Sequence, residues 1–419
     1  MLGLGKLGRE VIRQSQSKSI RPKFYWIGDS KCFVSRLDRK PFTVNEMRRF
    51  LKIKTEYPNQ FAEKSRNELA GVDVFDFNDL PQQADLIQRE LISKPRESWV
   101  IIDTSTTLRK TGGMLVRSAL GCASYCSANK SPWAEYELCS ELYADATRKR
   151  TLLGLNCVAG VWVDQMEILP ILMQKLRHGR IIITKRDNSS LNTFLALVAR
   201  GISPEDALAE LAARGHLEPG AEGLLSEIRD QITKAKIAAN ICGILRHVKP
   251  SNEGSFAPES MRFHDPSEIA SWHISGRKTG VYPALVTQIV VDTKAKKISC
   301  SVKFTELTRD HPLAKDFDGK NAMTIQGSND VQFEWSPNLK SRSGRGPFVH
   351  SGYGGASKTA AKPLWETKRA VSLISSRPQA QFSPIPVLWG LSGETEAKRL
   401  ERKLAANLSS LAVPSGRNT

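Results

Sequence analysis

The chain has 419 residues, which is enough for two or three domains with sizeable cores. A hydrophobic content of 40% is typical of a globular protein, and no run is long and apolar enough to predict a membrane span. The formal net charge of +18 favours anionic partners, but the basic residues are scattered without interleaved aromatics. This argues against nucleic acid and for a phosphate-rich small molecule.

The seven cysteines are odd in number and scattered, and no spacing is typical of a zinc site. We therefore predict free thiols and no metal site in a reducing compartment. No signal peptide opens the chain, so we expect a cytoplasmic protein, or an organellar one if the true N-terminus lies upstream.

The first motif is a G-x-G-x-x-G sequence made by Gly3, Gly5 and Gly8, with Lys6 and Leu7 between the last two glycines. In a dinucleotide fold, such glycines permit a tight turn and bring a helix N-terminus close to pyrophosphate. The motif follows a strand in the middle of the sheet, and only two residues precede it here. We expect that strand to be missing, through a truncated or misassigned start, or else the nucleotide half to be degenerate.

A second strand is predicted at 23–27, and Asp29, Ser30 and Lys31 follow it. An acidic residue about twenty positions after the glycines is placed to hold the adenosine ribose, so Asp29 favours NAD. Lys31 and Arg36 are candidates to hold the 2′-phosphate of NADP. The sequence leaves the choice between NADP and NAD open.

Two further strands are predicted at 99–103 and 123–126, each followed by polar residues. Thr104 and Ser105 follow the first, where their hydroxyls are candidates to meet the nicotinamide, and Lys130 lies shortly after the second. An apolar strand at 152–163 and a strand and turn at 181–191 come next. At 281–291 and 297–304, polar and apolar residues alternate, as they do in paired strands.

Two helices are predicted between residues 200 and 241. Ser203 is the expected N-cap of the first, with Pro204 at its first position and Gly215 after its end. On the second, Glu227, Asp230 and Lys234 are spaced by three and four residues and therefore share one face. Spacing alone favours a solvated surface over an active-site wall.

These motifs together resemble those of homoserine dehydrogenases, most closely the type fused to aspartokinase. The family's Gly-(Leu/Met)-Ser-x-x-x-Ala run is similar to 201–207, its Gly-Tyr-x-Glu-Pro turn to 215–219, and its Asp-x-x-x-Lys helix to Asp230 and Lys234. Its Asp-(Cys/Asn)-Thr-Ser-Ser and Thr-Pro-Asn-Lys-Lys runs resemble 103–107 and 127–131. The similarity extends from Gly3 to about Val371.

The resemblance implies the roles of several residues. Lys234 and Lys130 correspond to two active-site lysines, and Glu218 and Asp230 to substrate-binding acids. The family has another acidic residue between the positions of Glu218 and Asp230. Glu222 and Glu227 are the candidates to replace it, and Glu227 is the better placed of the two, one turn before Asp230. The glycine-rich helix start at 352–361 resembles a segment that faces the cofactor, which adds Gly355 to the cofactor-binding candidates.

Several loops depart from the family pattern. Val158 and the run 188–193 each lack a glycine, and Gly154 replaces a cation-binding Glu, so the resemblance also implies no carboxylate metal site. Val158 adopts positive φ only at a cost, and we expect its loop to differ in shape.

The predicted fold class is α/β: a Rossmann-type dinucleotide-binding domain plus an α+β substrate and dimerisation domain with a mixed sheet. We assign residues 1–150 to the nucleotide domain, 151–340 to the substrate domain, 341–375 to a return helix and 376–419 to an appendage. The resemblance further implies a homodimer.

The implied reaction interconverts aspartate 4-semialdehyde and L-homoserine with NADP or NAD. In it, Lys234 is expected to protonate the carbonyl oxygen, with a pKa lowered by desolvation. Two alternatives stay open. One is an inactive homologue that binds or regulates, and the other is a thiol-dependent semialdehyde dehydrogenase that uses Cys157.

Overall fold

The computed structural model describes residues 1–17, 23–29, 31–76, 80–92, 99–105, 109–149, 151, 153–159, 169, 173, 179–214, 216–217, 221–251, 263, 265–314, 321–327 and 348–352. The chain forms two compact units. Unit 1 contains Met1–Glu167 and Ala356–Gly390, and unit 2 contains Ile168–Gly355 and Leu391–Thr419.

Unit 1 is an α/β unit with both parallel and antiparallel strand pairs. Its strands are β1 (Trp26–Gly28), β2 (Cys32–Arg36), β3 (Val72–Asp76), β4 (Val100–Asp103), β5 (Ser124–Ser127) and β6 (Leu153–Gly154). Its helices are α1 (Lys6–Ser17), α2 (Val44–Glu56), α3 (Phe61–Glu68), α4 (Leu80–Ile92), α5 (Arg109–Ala119), α6 (Tyr136–Arg148) and α7 (Asn156–Ala159), with a 3-10 turn at Ser131–Trp133. Strands β4, β5 and β6 pair in parallel, whereas β2 runs antiparallel to both β1 and β3.

The strand that we expected to be missing is present as a short stub. Leu2 bridges in parallel to Gly28 of β1 on one side and to Asp103 of β4 on the other. The backbone N–H of Leu2 donates to Ile102 at 2.8 Å, and that of Gly3 donates to Gly28 at 2.8 Å. A stub of two residues is therefore sufficient to join the two halves of the sheet, because each neighbouring strand supplies backbone partners.

The core of unit 1 lies between the first helices and the sheet. It contains Leu4, just before α1, and Val11 and Ile12 of α1, together with Ile27 and Val34 of the sheet. Helix α2 begins at a capping box in which Thr43 accepts from the N–H of Glu46 and the Glu46 side chain accepts from the N–H of Thr43. This cap satisfies two backbone donors and fixes where α2 begins.

Unit 2 is an α+β unit with one five-stranded sheet in the order β11–β10–β7–β8–β9. Its strands are β7 (Arg180–Arg186), β8 (Val281–Asp292), β9 (Lys297–Thr308), β10 (Asn321–Gly327) and β11 (Phe348–Gly352). Its helices are α8 (Ser189–Val198), α9 (Pro204–Ala213), α10 (Ala221–Arg246) and α11 (Pro266–Lys278). The five strands pair antiparallel, and Ser251 adds an isolated parallel bridge to Ser299 of β9.

Several predicted elements of unit 2 are confirmed. Ser203 caps α9, its Oγ accepting from the N–H of Asp206 at 3.1 Å, and Pro204 is the first helical residue. The hairpin of β8 and β9 extends each predicted strand at its C-terminal end. The prediction of a turn after residue 188 is wrong: Asn188 caps α8, accepting from the N–H of Leu191 at 2.8 Å, and the chain continues as a helix.

The predicted fold class, a Rossmann-type unit plus an α+β unit, is confirmed. Val158 lies in the short helix α7 rather than in a loop, and it is fully buried. Helical φ suits a β-branched residue, so its side chain packs without strain. Within the described residues, no helix combines the length and the apolar character needed to cross a membrane.

Candidate functional site

The glycine turn at the start of unit 1 is shaped by close backbone contacts. Gly3 has φ +86°, and a Cβ there would lie 2.7 Å from the N of Ser105. A Cβ on Gly8 would lie 1.9 Å from the carbonyl O of Gly3. By contrast, a Cβ on Gly5 would meet nothing within 4 Å. The first and third glycines are thus required by packing, and the second leaves open space beside the N-terminus of α1.

That open space is a candidate pyrophosphate site. In dinucleotide folds the three glycines serve a tight turn, close approach of the ligand, and helix–strand packing, in this order. Gly3, Gly5 and Gly8 have the corresponding geometry here. Backbone N–H groups at the start of α1 and its dipole favour an anion at this position. Leu7 is half-buried beside the core, and the side chain of Lys6 lies outside the described residues.

A buried polar network lies beside the glycine turn. The Thr104 hydroxyl is 2.9 Å from the carbonyl O of Leu2 and 2.7 Å from that of Gly3. Asp103 accepts from the backbone N–H and hydroxyl of Ser105, at 2.9 and 2.6 Å, and from Tyr125 Oη at 2.8 Å. Burial raises the pKa of Asp103 and these hydrogen bonds lower it. The effect of burial is larger, so the pKa lies above its ordinary value. The Thr104 hydroxyl therefore supports the backbone of the turn, and the Ser105 hydroxyl holds the Asp103 carboxylate.

The acidic residue after β1 is paired. Asp29 Oδ2 lies 2.6 Å from Lys54 Nζ of α2, with both side chains largely buried. Of the two candidates for a 2′-phosphate, Lys31 is exposed. Arg36 forms ion pairs with Asp38 and Glu46, at 2.8 and 2.6 Å. The carboxylate expected to bind a ribose is thus compensated by a lysine that sequence analysis did not single out.

Lys130 follows β5 at the start of the 3-10 turn. Its carbonyl O accepts from the N–H of Trp133 at 3.1 Å. The neighbouring Asn129 is buried and accepts from the N–H of Ser131 at 3.2 Å. The N–H of Ala128 donates to the carbonyl O of Asp103 at 2.7 Å, which ties this segment to the end of β4. The glycine turn, Asp29, Thr104 and Lys130 all follow the carboxyl ends of parallel strands, where α/β folds bind ligands.

In unit 2, the predicted charged face of α10 is present. Lys234 Nζ lies 2.5 Å from Asp230 Oδ2, one helical turn apart, and the side chains are 18% and 27% exposed. Ile228 and Ile237 of the same helix are fully buried. The charged group is therefore half-buried at the edge of the core and not a fully solvated surface.

Our expectation for the pKa of Lys234 is wrong in direction. Burial does lower this pKa, but the nearby carboxylates of Asp230, Asp187 and Glu227 raise it by more. The net result is a pKa above the ordinary lysine value. The sequence argument counted desolvation alone, whereas opposite charges within a few ångström favour the ammonium form.

Glu227 is held by the cap of another helix. Asn188 Nδ2 donates to both the backbone O and the side-chain Oε2 of Glu227, each at 2.8 Å. The Oδ1 atom of the same Asn188 caps α8. One amide therefore joins the start of α8 to the charged face of α10.

Two buried charges next to this amide were not among the predicted site residues. Lys185 and Asp187 form an ion pair at 2.5 Å between Nζ and Oδ2, and their side chains are 0% and 1% exposed. They lie two residues apart at the end of β7. The signal in the sequence is the run 185–187, where charged residues interrupt an otherwise apolar strand.

Three predicted site residues, Glu218, Ser30 and Gly355, lie outside the described residues, as does Gly215. Cys157, the thiol of one alternative, is 2% exposed in α7. A buried thiol of this kind is inaccessible to a substrate.

Comparison with known proteins supports the fold. No protein-family model and no curated protein matches the chain. Among solved structures, a protein of unknown function from Candida auris is 16% identical, covers 89% of this chain and 97% of its own, and gives a TM-score of 0.59. Homoserine dehydrogenase from Thermoplasma acidophilum is 16% identical, with 90% and 98% coverage and a TM-score of 0.57. A hyperthermophilic archaeal homoserine dehydrogenase in complex with NADPH is 20% identical, with 89% and 96% coverage and a TM-score of 0.54.

The chain has the fold of these homoserine dehydrogenases. At these identities the similarity establishes the architecture alone, namely a Rossmann-type unit and an α+β unit.

Proposed function

We propose that this protein is an NAD(P)-dependent oxidoreductase that interconverts aspartate 4-semialdehyde and L-homoserine. The observation that carries the proposal is the charged group on α10, in which Lys234 is surrounded by Asp230, Glu227 and Asp187. An ammonium beside several carboxylates suits a substrate that has both an amino group and a reacting carbonyl oxygen.

Unit 1 is the proposed cofactor-binding unit. The open space at Gly5 and the start of α1 fit a pyrophosphate, and Asp29 with Lys54 lies where the adenosine ribose is expected. When bound, a nicotinamide ring supplies or accepts a hydride. We expect NADPH to bind at least as well as NADH, because Lys54 neutralises Asp29 and Lys31 adds a second positive charge.

Unit 2 is the proposed substrate-binding unit. Asp230 and Glu227 attract the substrate ammonium, and Asn188 orients the Glu227 carboxylate for this task. The Lys234 ammonium stabilises the alkoxide that develops on the carbonyl oxygen and gives it a proton. Because the substrate ammonium competes for the same carboxylates, its binding lowers the pKa of Lys234 towards the range in which proton transfer is efficient. Lys130 is the proposed second cation, and a homodimer is the proposed assembly.

The test has two steps. NADPH and NADH are first titrated into the full chain, and homoserine oxidation is then followed by cofactor reduction. We expect saturable binding and homoserine-dependent reduction. Binding of neither cofactor would contradict the proposal and favour the inactive homologue. Oxidation of the semialdehyde that requires phosphate and is blocked by alkylation of Cys157 would contradict it in favour of the thiol mechanism.

A further inference from the structure

The charged group on α10 receives a carboxylate from the sheet beneath it. Lys185 of β7 is the register partner of Thr287 of β8, so their side chains share one face of the sheet. Gln231 Nε2 of α10 lies 3.2 Å from Thr287 Oγ1. This contact places α10 over that face, at the helical turn between Glu227 and Lys234.

Asp187 continues the same face of the chain beyond β7. It is two residues after Lys185, pairs with it at 2.5 Å, and is followed by Asn188, which binds Glu227. Asp187 is therefore held between a buried ammonium and the turn of α10 that contains the site residues.

We propose that Asp187, held in place by Lys185, is a positioning residue that orients and keeps charged the Lys234 ammonium of the proposed active site. The inference rests on the proposed function for the catalytic role of Lys234. The effect of Asp187 on the Lys234 ammonium does not depend on catalysis and can be measured without it. Burying an ion pair costs desolvation energy, and replacing such a pair with apolar residues is often neutral or stabilising. Fold stability alone is thus a weak explanation for this pair.

The groups that face Lys234 come from several elements. Glu227 and Asp230 belong to α10 itself, and Asp187 comes from the end of β7 with Lys185 behind it. Thr287 of β8 and Cys300 of β9 lie beneath the helix, where they contact Gln231 and the carbonyl O of Ala235. Among the residues that the structure describes, Asp187 is thus the carboxylate outside α10 whose charge acts on Lys234.

The consequence concerns substrate choice. Asp187 is a third carboxylate, besides Asp230 and Glu227, that acts on Lys234. Asp187 therefore adds to the attraction for an ammonium-bearing substrate without touching it.

The test compares how much of Lys234 is deprotonated in the full chain without cofactor or substrate. Trace acetylation by acetic anhydride, which reacts with the neutral amine, is run at a single pH of about 9 and read for each lysine by mass spectrometry, with the exposed Lys294 as internal reference. In Asp187→Asn, we expect the acetylation rate of Lys234 relative to Lys294 to rise about tenfold, which corresponds to a pKa lower by about one unit. Asp230→Asn serves as the positive control, and Glu210→Gln, which removes a carboxylate of α9 paired with Arg214, should leave the relative rate unchanged.

A second variant covers the case in which Asp187→Asn leaves Lys185 unpaired and does not fold. Lys185→Met with Asp187→Leu replaces the whole pair with apolar residues. It should raise the relative acetylation rate of Lys234 by less than Asp187→Asn does, because the Lys185 ammonium, which opposes the charge of Lys234, is removed as well. An unchanged relative rate for Lys234 in folded Asp187→Asn, while Asp230→Asn raises it, would overturn the inference, and so would an unchanged rate in the double variant if Asp187→Asn does not fold. Because neither cofactor nor substrate is present, that outcome is distinct from a failure of the proposed enzyme activity.

Discussion

Lys234 and Asp230 lie one helical turn apart on α10, with Nζ 2.5 Å from Oδ2. Together with Asp187 and Glu227, Asp230 keeps the pKa of Lys234 above its ordinary value despite burial. Lys234 is therefore a fixed cation before substrate binds. This makes it suited to stabilise negative charge on a reacting oxygen.

Replacing this lysine should stop the chemistry but not cofactor binding. We expect Lys234→Ala to lose at least about 100-fold in kcat, the scale of a lost general acid. The control is Arg229→Gln on the same helix, where an exposed side chain pairs loosely with Glu222 at 3.8 Å. Steady-state kinetics and NADPH titration check both variants. Retained turnover in Lys234→Ala would refute the assignment.

Two glycines of the turn should respond differently to the same substitution. Gly8→Ala places a Cβ 1.9 Å from the Gly3 carbonyl O, so we expect a loss of about 3 kcal/mol or more in the free energy of unfolding. Gly5→Ala meets nothing within 4 Å and should leave stability unchanged. It should instead weaken NADPH binding by about tenfold or more, since a methyl group fills the space for the pyrophosphate. Equal effects of the two variants on both measurements would contradict this distinction.

Cofactor preference should depend on Lys54. In Lys54→Met the Asp29 carboxylate loses its partner at 2.6 Å, becomes free to accept from ribose hydroxyls, and repels a 2′-phosphate. We expect the ratio of NADPH to NADH affinity to fall by about tenfold, the value of one charge-assisted hydrogen bond. Lys52→Met, on the exposed side of the same helix, is the matched control. An unchanged ratio in Lys54→Met would mean that Asp29 does not face the ribose.

The Asn188 amide should affect substrate affinity beyond its role as a cap. Asn188→Ala removes a helix cap, at a cost of about 1 kcal/mol in stability, and also releases Glu227. Ser203→Ala removes the cap of α9 at a similar cost but touches none of the charged group. We therefore expect only Asn188→Ala to raise KM for homoserine, with a smaller change in kcat. Equal KM values for the two variants would leave Asn188 with a structural role alone.

Acid sensitivity should arise in part at His273 of α11. Burial lowers the pKa of this side chain from its ordinary 6.5 to about 4. The hydrogen bond from Nδ1 to the Pro283 carbonyl O, at 2.8 Å, raises the pKa but by less. Between these pH values the unfolded chain binds a proton that the folded protein excludes. The free energy of unfolding therefore falls as pH falls from about 6.5 to about 4, by about 3 kcal/mol.

His273→Gln should flatten this part of the profile, whereas His247→Asn, at an exposed position with positive φ, should not. Denaturant unfolding across this pH range measures the difference. Parallel profiles for wild type and His273→Gln would contradict the assignment.

Local signals in the sequence were sufficient for much of the fold. The cap at Ser203, the paired strands β8 and β9, and the shared face of Asp230 and Lys234 all follow from spacings of a few residues. Two short-range patterns were still misread: the two residues before Gly3 do supply the central strand position, and the run after Asp187 begins a helix.

The chemistry of the site depended on partners distant in sequence. Asp29 pairs with Lys54, and Asn188 reaches Glu227, 25 and 39 residues away. The predicted direction of the Lys234 pKa was wrong because desolvation alone was counted. The opposing charge of Asp230 lies one turn away on the same helix, whereas that of Asp187 comes from the end of β7. No spacing rule predicts the contribution of Asp187, which depends on the packing of α10 over the sheet.

The most direct test is hydride transfer itself. The protein is incubated with aspartate 4-semialdehyde and NADPH carrying deuterium at both hydrogens of nicotinamide C4, and the products are analysed by mass spectrometry. We expect homoserine with one deuterium on the former aldehyde carbon from the wild-type protein, and at least about 100-fold slower formation of it by Lys234→Ala. Absence of labelled homoserine from a wild-type protein that binds NADPH would contradict the proposed function.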